Sequence, residues 1–101
     1  MKDILGYEGL YAVTSCGRVW SYKSNRFLEP YRDRKGYLRV TLYGNGSKKD
    51  CKVHRLVAEA YLPNPNNWPH INHKDEIKSH NFLGNLEWCN ADYNNHYGSH
   101  S

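Results

Sequence analysis

The chain has no long apolar run. It opens on Met1-Lys2-Asp3-Ile4 without an apolar signal region, and no later stretch approaches the roughly 20 residues of a membrane helix. A soluble, intracellular, cytoplasmic protein with no membrane partner is therefore expected. A cysteine framework is also missing. The three cysteines, Cys16, Cys51 and Cys89, are odd in number, far apart and without a C-x-x-C pair. They fit neither a disulfide scaffold nor a zinc–thiolate site, so no structural zinc is expected, and each reads as a small buried or half-buried hydrophobe. Long linkers, internal repeats and low-complexity segments are absent too. At 101 residues, that leaves one small domain, or two very small subdomains sharing a core.

Aromatics and a mild basic excess are what the chain does have. Nine Tyr and three Trp can line a core and still offer a polar tip to a partner. A net charge of +4 and a pI near 9.0 suit an anionic partner, although such an excess is common among ordinary soluble proteins.

The first half reads as β-structure. Leu10–Thr14 and Arg18–Tyr22 flank Ser15-Cys16-Gly17, where Gly17 can supply the positive φ of a tight hairpin. Arg26–Tyr31 is a third strand candidate, held to an edge by Pro30. Gly36–Tyr43 is the clearest strand. Leu38, Val40 and Leu42 alternate there with Tyr37, Arg39, Thr41 and Tyr43, giving one apolar and one aromatic–cationic face. After the turn Gly44-Asn45-Gly46, Lys48–Val53 returns as an antiparallel partner with Cys51 and Val53 on one side and Lys52 on the other. The period then changes. Leu56, Val57, Ala60 and Tyr61 are helically spaced in Val53–Leu62, and Pro63 and Pro65 stop that helix. The fold class expected is α+β: a small antiparallel β N-terminal half, one helix, then a β-loop-β-α unit.

That last unit spans His70–Tyr97. Ile71–His73 forms a brief strand, residues 75–84 a polar loop, and Asn85–Cys89 a return strand with Leu86 and Trp88 facing the core. Asn90 caps a helix over Ala91–Tyr97 that Gly98 closes. Such a frame can hold one metal ion and one general base side by side. A histidine of near-neutral pKa can take a proton from water. A hard divalent ion bound by oxygens can stabilise a leaving oxygen. Asparagine offers such an ion its side-chain carbonyl, and Asn85 stands where it can hold the His73 loop or fix the imidazole tautomer. Read singly, His70, His80, His96 and His100 are surface or hydrogen-bonded residues. His54 is then a helix-start packing residue, Asp75 a turn-bracing one and Asn94 an exposed helix position.

Taken together, Asn72-His73-Lys74-Asp75, Asn85-Leu86-Glu87-Trp88 and Asn94 resemble the HNH endonuclease motif, above all that of phage and intron homing endonucleases. His54-Arg55-Leu56-Val57-Ala58 and Leu62-Pro63-Asn64-Pro65 resemble the helix and loop that lead into that domain. Gly6-Tyr7-Glu8-Gly9-Leu10-Tyr11-Ala12-Val13 and Gly17-Arg18-Val19-Trp20-Ser21 resemble the small β-rich module often fused before it. The resemblance implies a β-rich DNA-positioning module over residues 1–53 and an HNH nuclease domain of ββα-metal fold over residues 54–101. It implies that His73 activates water, that Asn72 and Asn94 bind one divalent cation (Mg²⁺, Mn²⁺ or similar), and that Asn85 orients His73 or its loop. The expected reaction is cleavage of double-stranded DNA to a 3′ hydroxyl and a 5′ phosphate, by a phage- or mobile-element-encoded monomer or homodimer.

Relatives often carry Asp where this chain has Asn72, which implies weak metal binding until a DNA phosphate joins the coordination shell. The same substitution raises a rival reading, a DNA-binding relic of a nuclease; a protein-interaction domain is the other. Arg18, Arg26, Arg32, Arg34, Lys35, Arg39, Lys48, Lys49 and Lys52, interleaved with aromatics, are the expected DNA contacts, Arg39 foremost because it shares a strand face with Tyr37 and Tyr43. Only Tyr97–Ser101 remain for any further DNA-reading element, so modest sequence specificity is expected.

Overall fold

The computed structural model describes residues 1–44 and 46–90. Nine short strands, β1 (Lys2–Asp3), β2 (Tyr11–Val13), β3 (Val19–Ser21), β4 (Arg26–Phe27), β5 (Tyr31–Arg32), β6 (Leu38–Gly44), β7 (Ser47–Lys52), β8 (His70–His73) and β9 (Leu86–Cys89), and one helix, α1 (Val53–Tyr61), follow in chain order among them. They form three antiparallel sheets, β1-β2-β3-β4, β5-β6-β7 and β8-β9. No helix among the described residues is long and apolar enough to cross a membrane.

Alternation sets the longest ladder. Val40 faces Cys51 and Leu42 faces Lys49, while Arg39, Thr41 and Tyr43 oppose Lys52, Asp50 and Lys48 on the other face. Val40 and Leu42 are buried, as period two requires. β1 was not expected from the sequence; it pairs with β2 through Lys2↔Val13. Arg26–Tyr31 is not one strand. Its ends belong to different sheets, β4 and β5, with Leu28-Glu29-Pro30 between them, because Pro30 has no N–H to continue a ladder. The expected return strand also starts later: Asn85 ends a 3₁₀ turn, Leu83–Asn85, and β9 begins at Leu86.

α1 buries Val53, Leu56 and Val57 against Ile4, Val13, Val19, Val40, Leu42 and Leu86. The helix therefore packs on strands from before and after it, and one core crosses position 53. Two aromatic tips bind its flanks. The Tyr61 hydroxyl donates to the Val13 carbonyl at 2.8 Å, and the Trp88 indole N–H donates to the Leu62 carbonyl at 3.1 Å. The cysteines divide: Cys89 is buried and Cys51 half-buried, but Cys16 is exposed in the β2–β3 turn. Asn45 and the expected helix over Ala91–Tyr97, with Asn94, His96 and its Gly98 cap, lie outside the described residues, as does His100.

Candidate active site

β8 and β9 pair with Asn72 opposite Glu87 and His73 opposite Leu86. The loop between them is closed by Asn85. Its carbonyl accepts the Lys74 N–H at 2.8 Å and its side-chain oxygen accepts the Asp75 N–H at 3.1 Å. Its amide donates to Asp75 Oδ1 at 2.9 Å and to the His80 carbonyl at 2.8 Å. Asn85 thus braces the loop that follows His73 and makes no hydrogen bond to the imidazole itself. Asp75 works with it, accepting the Ile77 N–H at 2.9 Å and meeting His80 Nδ1 at 2.7 Å. Burial works against the Asp75 carboxylate, but the hydrogen bonds from His80, Ile77 and Asn85 hold its pKa at about 2. Its turn-bracing role is the one expected.

His73 is only 1 % exposed, and the ring partner that the sequence did not reveal is Asn81. Asn81 Oδ1 lies 2.8 Å from His73 Nε2. An amide oxygen only accepts, so in this arrangement Nε2 carries the proton and Nδ1 the lone pair. Burial pushes the His73 pKa down from its ordinary value, opposed by the Asn81 hydrogen bond, and the net shift favours the neutral ring. A neutral imidazole with a directed lone pair is the form a general base requires.

His54 sits beside it. The two rings lie 4.9 Å apart, and His54 stacks on Tyr37 at 5.1 Å with planes 29° apart. His54 is buried, and its Nδ1 has no hydrogen-bond partner. Burial first, then the nearby His73, Lys52 and Arg55, depress its pKa to about 3. The helix-start packing role is what the structure gives it. A pH dependence follows. The unfolded chain takes up the His54 proton near pH 6.5 and the folded chain only near 3, so between those values the unfolded state binds more protons. Stability should fall by roughly 1.4 kcal/mol per pH unit for that one proton as pH drops through the window. Urea unfolding of the unmutated chain and His54→Leu at pH 7, 5 and 4 should show the smaller slope in the variant; equal slopes would contradict the assignment.

Asn72 is fully buried, with its amide nitrogen 3.5 Å from Glu87 Oε1 across the ladder. The register thus puts a carboxylate beside the neutral amide, which no reading of the strand in isolation could show. Among the described residues no group of three or more His, Cys, Asp or Glu gathers as a metal site. The donors that fit a hard divalent cation here are oxygens, from Asn72 and Glu87. Asn94, the other expected ligand, is outside the described residues.

The basic residues do not form one stripe. Arg39, Lys48 and Lys52 share the outer face of β6–β7, while Lys49 and Arg32 pair with Leu42 and Leu38 on the other register. Arg39 is tied by Nε to Asp33 at 2.7 Å, and that hydrogen bond is the main reason the Asp33 carboxyl falls to about 2. The Arg18 guanidinium lies 3.9 Å above the Phe27 ring. Arg26, Arg34, Lys35, Lys48 and Lys49 are exposed. Lys52 and Lys78 place their ammonium groups 4.6 and 4.9 Å from the Tyr37 centroid. Tyr37 stacks on His54, so these two cations are linked through aromatic rings to His73. Lys78 escaped the sequence reading because it lies in the loop, far along the chain from the other basic residues.

Comparison with known proteins agrees with this frame. The NUMOD4 motif model matches residues 2–43. An uncharacterized HNH endonuclease, L245, of Acanthamoeba polyphaga mimivirus is 45 % identical over 84 residues, covering 83 % of this chain and 26 % of the relative. The DNA endonuclease I-HmuI of Bacillus phage SP01 is 39 % identical over 93 residues, 92 % of this chain and 53 % of its own. The H-N-H endonuclease F-TflII of Escherichia phage T5 is 35 % identical over 78 residues, 75 % of this chain and 40 % of its own. A solved structure of I-HmuI, described as showing DNA binding and cleavage by that HNH homing endonuclease, superposes with a TM-score of 0.87 at 38 % identity, over 94 % of this chain and 55 % of that one. The chain spans about half the length of I-HmuI and about a quarter of L245. By sequence and by fold, the chain is similar to HNH endonucleases, the homing endonuclease I-HmuI among them.

Proposed function

We propose that the chain is a metal-dependent endonuclease module that hydrolyses phosphodiester bonds in double-stranded DNA. The observation that carries this reading is the buried His73, with Asn81 Oδ1 at Nε2 and the lone pair left on Nδ1. In the reaction, Nδ1 takes the proton of the water that attacks phosphorus, the P–O3′ bond breaks, and the 3′ oxygen takes a proton from solvent to leave as the hydroxyl. Asn72 and Asn94, with Glu87 beside Asn72, would hold a divalent cation such as Mg²⁺ or Mn²⁺, which supplies positive charge for the leaving oxygen. Asn85 keeps the loop after His73 in shape, and His54 and Tyr37 pack beside the ring. Residues 1–53 position the duplex and residues 54–101 cut it. One such site cuts one strand at a time, so a double-strand break takes two protomers or two events.

Lys52 and Lys78, on Tyr37, are the cations best placed to carry phosphate toward His73. Arg18, Arg26, Arg32, Arg34, Lys35, Arg39, Lys48 and Lys49 extend the contact, with Arg39 pre-oriented by Asp33. Binding that neutralises several phosphates weakens steeply with salt. Fluorescence anisotropy should show affinity dropping at least roughly tenfold between 50 and 200 mM salt; a flat profile would remove this surface from the account.

The chemistry itself is tested on the ends. A nicked duplex from a Mg²⁺ reaction should be resealed directly by DNA ligase, as a 3′ hydroxyl and 5′ phosphate allow. Ends that ligase refuses until a 3′ phosphate is removed would overturn the proposed direction of cleavage.

A further inference from the structure

The turn between β2 and β3 is packed against the loop that carries Asn81. The Leu83 N–H donates to the Ser15 carbonyl at 2.7 Å. Gly17, at φ +89°, lies so close that a Cβ there would come within 3.0 Å of the Asn81 Cβ and carbonyl oxygen and 3.2 Å of its carbonyl carbon. Asn81 is 4 % exposed, its Oδ1 faces His73 Nε2, and its Nδ2 is buried without a hydrogen-bond partner. An amide with partners at both ends is oriented by hydrogen bonds. Asn81 has one at Oδ1 only, so its placement depends on what it is packed against, which includes the Gly17 turn.

The geometry points to Gly17 and Asn81 as positioning residues for His73: the turn of the N-terminal sheet seats Asn81, and Asn81 holds the imidazole with its proton on Nε2. Rotating the amide by half a turn would put Nδ2 against the ring and select the opposite tautomer, with no lone pair on Nδ1. The N-terminal sheet is then part of the catalytic apparatus as well as a surface for DNA. The catalytic consequence rests on the proposed role of His73 as base; the hold on the ring does not.

Nitrogen-15 NMR of the full chain labelled at histidine, at a pH where the ring is neutral, reads the tautomer without DNA or metal. The unmutated chain should show His73 protonated at Nε2. Asn81→Leu removes the acceptor and should let the Nδ1-protonated form appear, whereas Asn81→Asp keeps an acceptor and should preserve the Nε2-protonated form. Gly17→Ala should shift the population as Asn81→Leu does. Gly6→Ala is its control, because Gly6 has a similar φ of +87° with nothing within 4 Å of its Cβ position. It shares the backbone strain and should leave the tautomer alone. Asn81→Leu and Gly17→Ala should also slow cleavage, by roughly 100-fold for a misplaced base, with DNA affinity kept. If Gly17→Ala does not fold, the contrast between Asn81→Leu and Asn81→Asp still decides. A proton on Nδ1 in the unmutated chain, no tautomer change in Asn81→Leu, or an equal change in Gly6→Ala would overturn the proposal. A chain that gives the expected NMR pattern but cuts no DNA would retain the hold and lose the nuclease reading.

Discussion

His73→Ala should lower single-turnover DNA cleavage by about 10²- to 10⁴-fold, the range that a positioned general base contributes. DNA affinity should change little. His73 is 1 % exposed, so it offers almost no surface to the duplex, whereas the expected phosphate contacts are lysines and arginines on other elements. The substitution also leaves Asn81 Oδ1 without its donor, at a cost of about 1–3 kcal/mol. Rates must therefore be compared below the variant's own unfolding transition. Cleavage by His73→Ala at the unmutated rate would remove His73 from the chemistry, and a parallel loss of binding would make its role structural.

Asn85→Ala should produce the largest loss of local stability in the site. The side chain is 5 % exposed and closes the loop through three hydrogen bonds, from the Asp75 N–H and to Asp75 Oδ1 and the His80 carbonyl. Removing it leaves the Asp75 N–H and the His80 carbonyl without that partner, at about 1–3 kcal/mol for each group that water cannot reach. The Asp75 pKa should rise from about 2, since one of the hydrogen bonds that hold it down is gone. Amide hydrogen exchange separates bracing from chemistry: the Asp75 N–H should lose protection in Asn85→Ala and keep it in His73→Ala. If its exchange is unchanged in Asn85→Ala, the loop does not depend on Asn85.

Periodicity made much of this legible in the sequence. The alternation of Leu38, Val40 and Leu42 against Arg39, Thr41 and Tyr43 placed β6, and the helical spacing of Leu56, Val57, Ala60 and Tyr61 placed α1, because those patterns are set by which faces meet the core. The frame of His73, Asn72 and Asn85 came from the motif. What escaped depends on contacts that no period encodes. Asn81 reaches His73 only because an eight-residue stretch of loop folds back, and Gly17 touches Asn81 only because two sheets distant in the chain pack together. Glu87 stands beside Asn72 by the register of β8 and β9. Arg39 looked available to DNA on its strand face, but Asp33 comes round the β5–β6 turn to pair with it. Arg26–Tyr31 looked continuous until Pro30 divided it between two sheets.

Asn72 leaves the sharpest question, since it offers a cation only a neutral amide oxygen, while Glu87 brings a carboxylate to the same place. The deciding measurement is conversion of supercoiled plasmid to the nicked form by the unmutated chain at low salt, with Mg²⁺ or Mn²⁺ and with EDTA in excess. Nicking that requires the ion and stops with EDTA is the predicted result. DNA that is bound under the same conditions yet stays supercoiled with either ion would contradict the account and leave a module that holds DNA without cutting it.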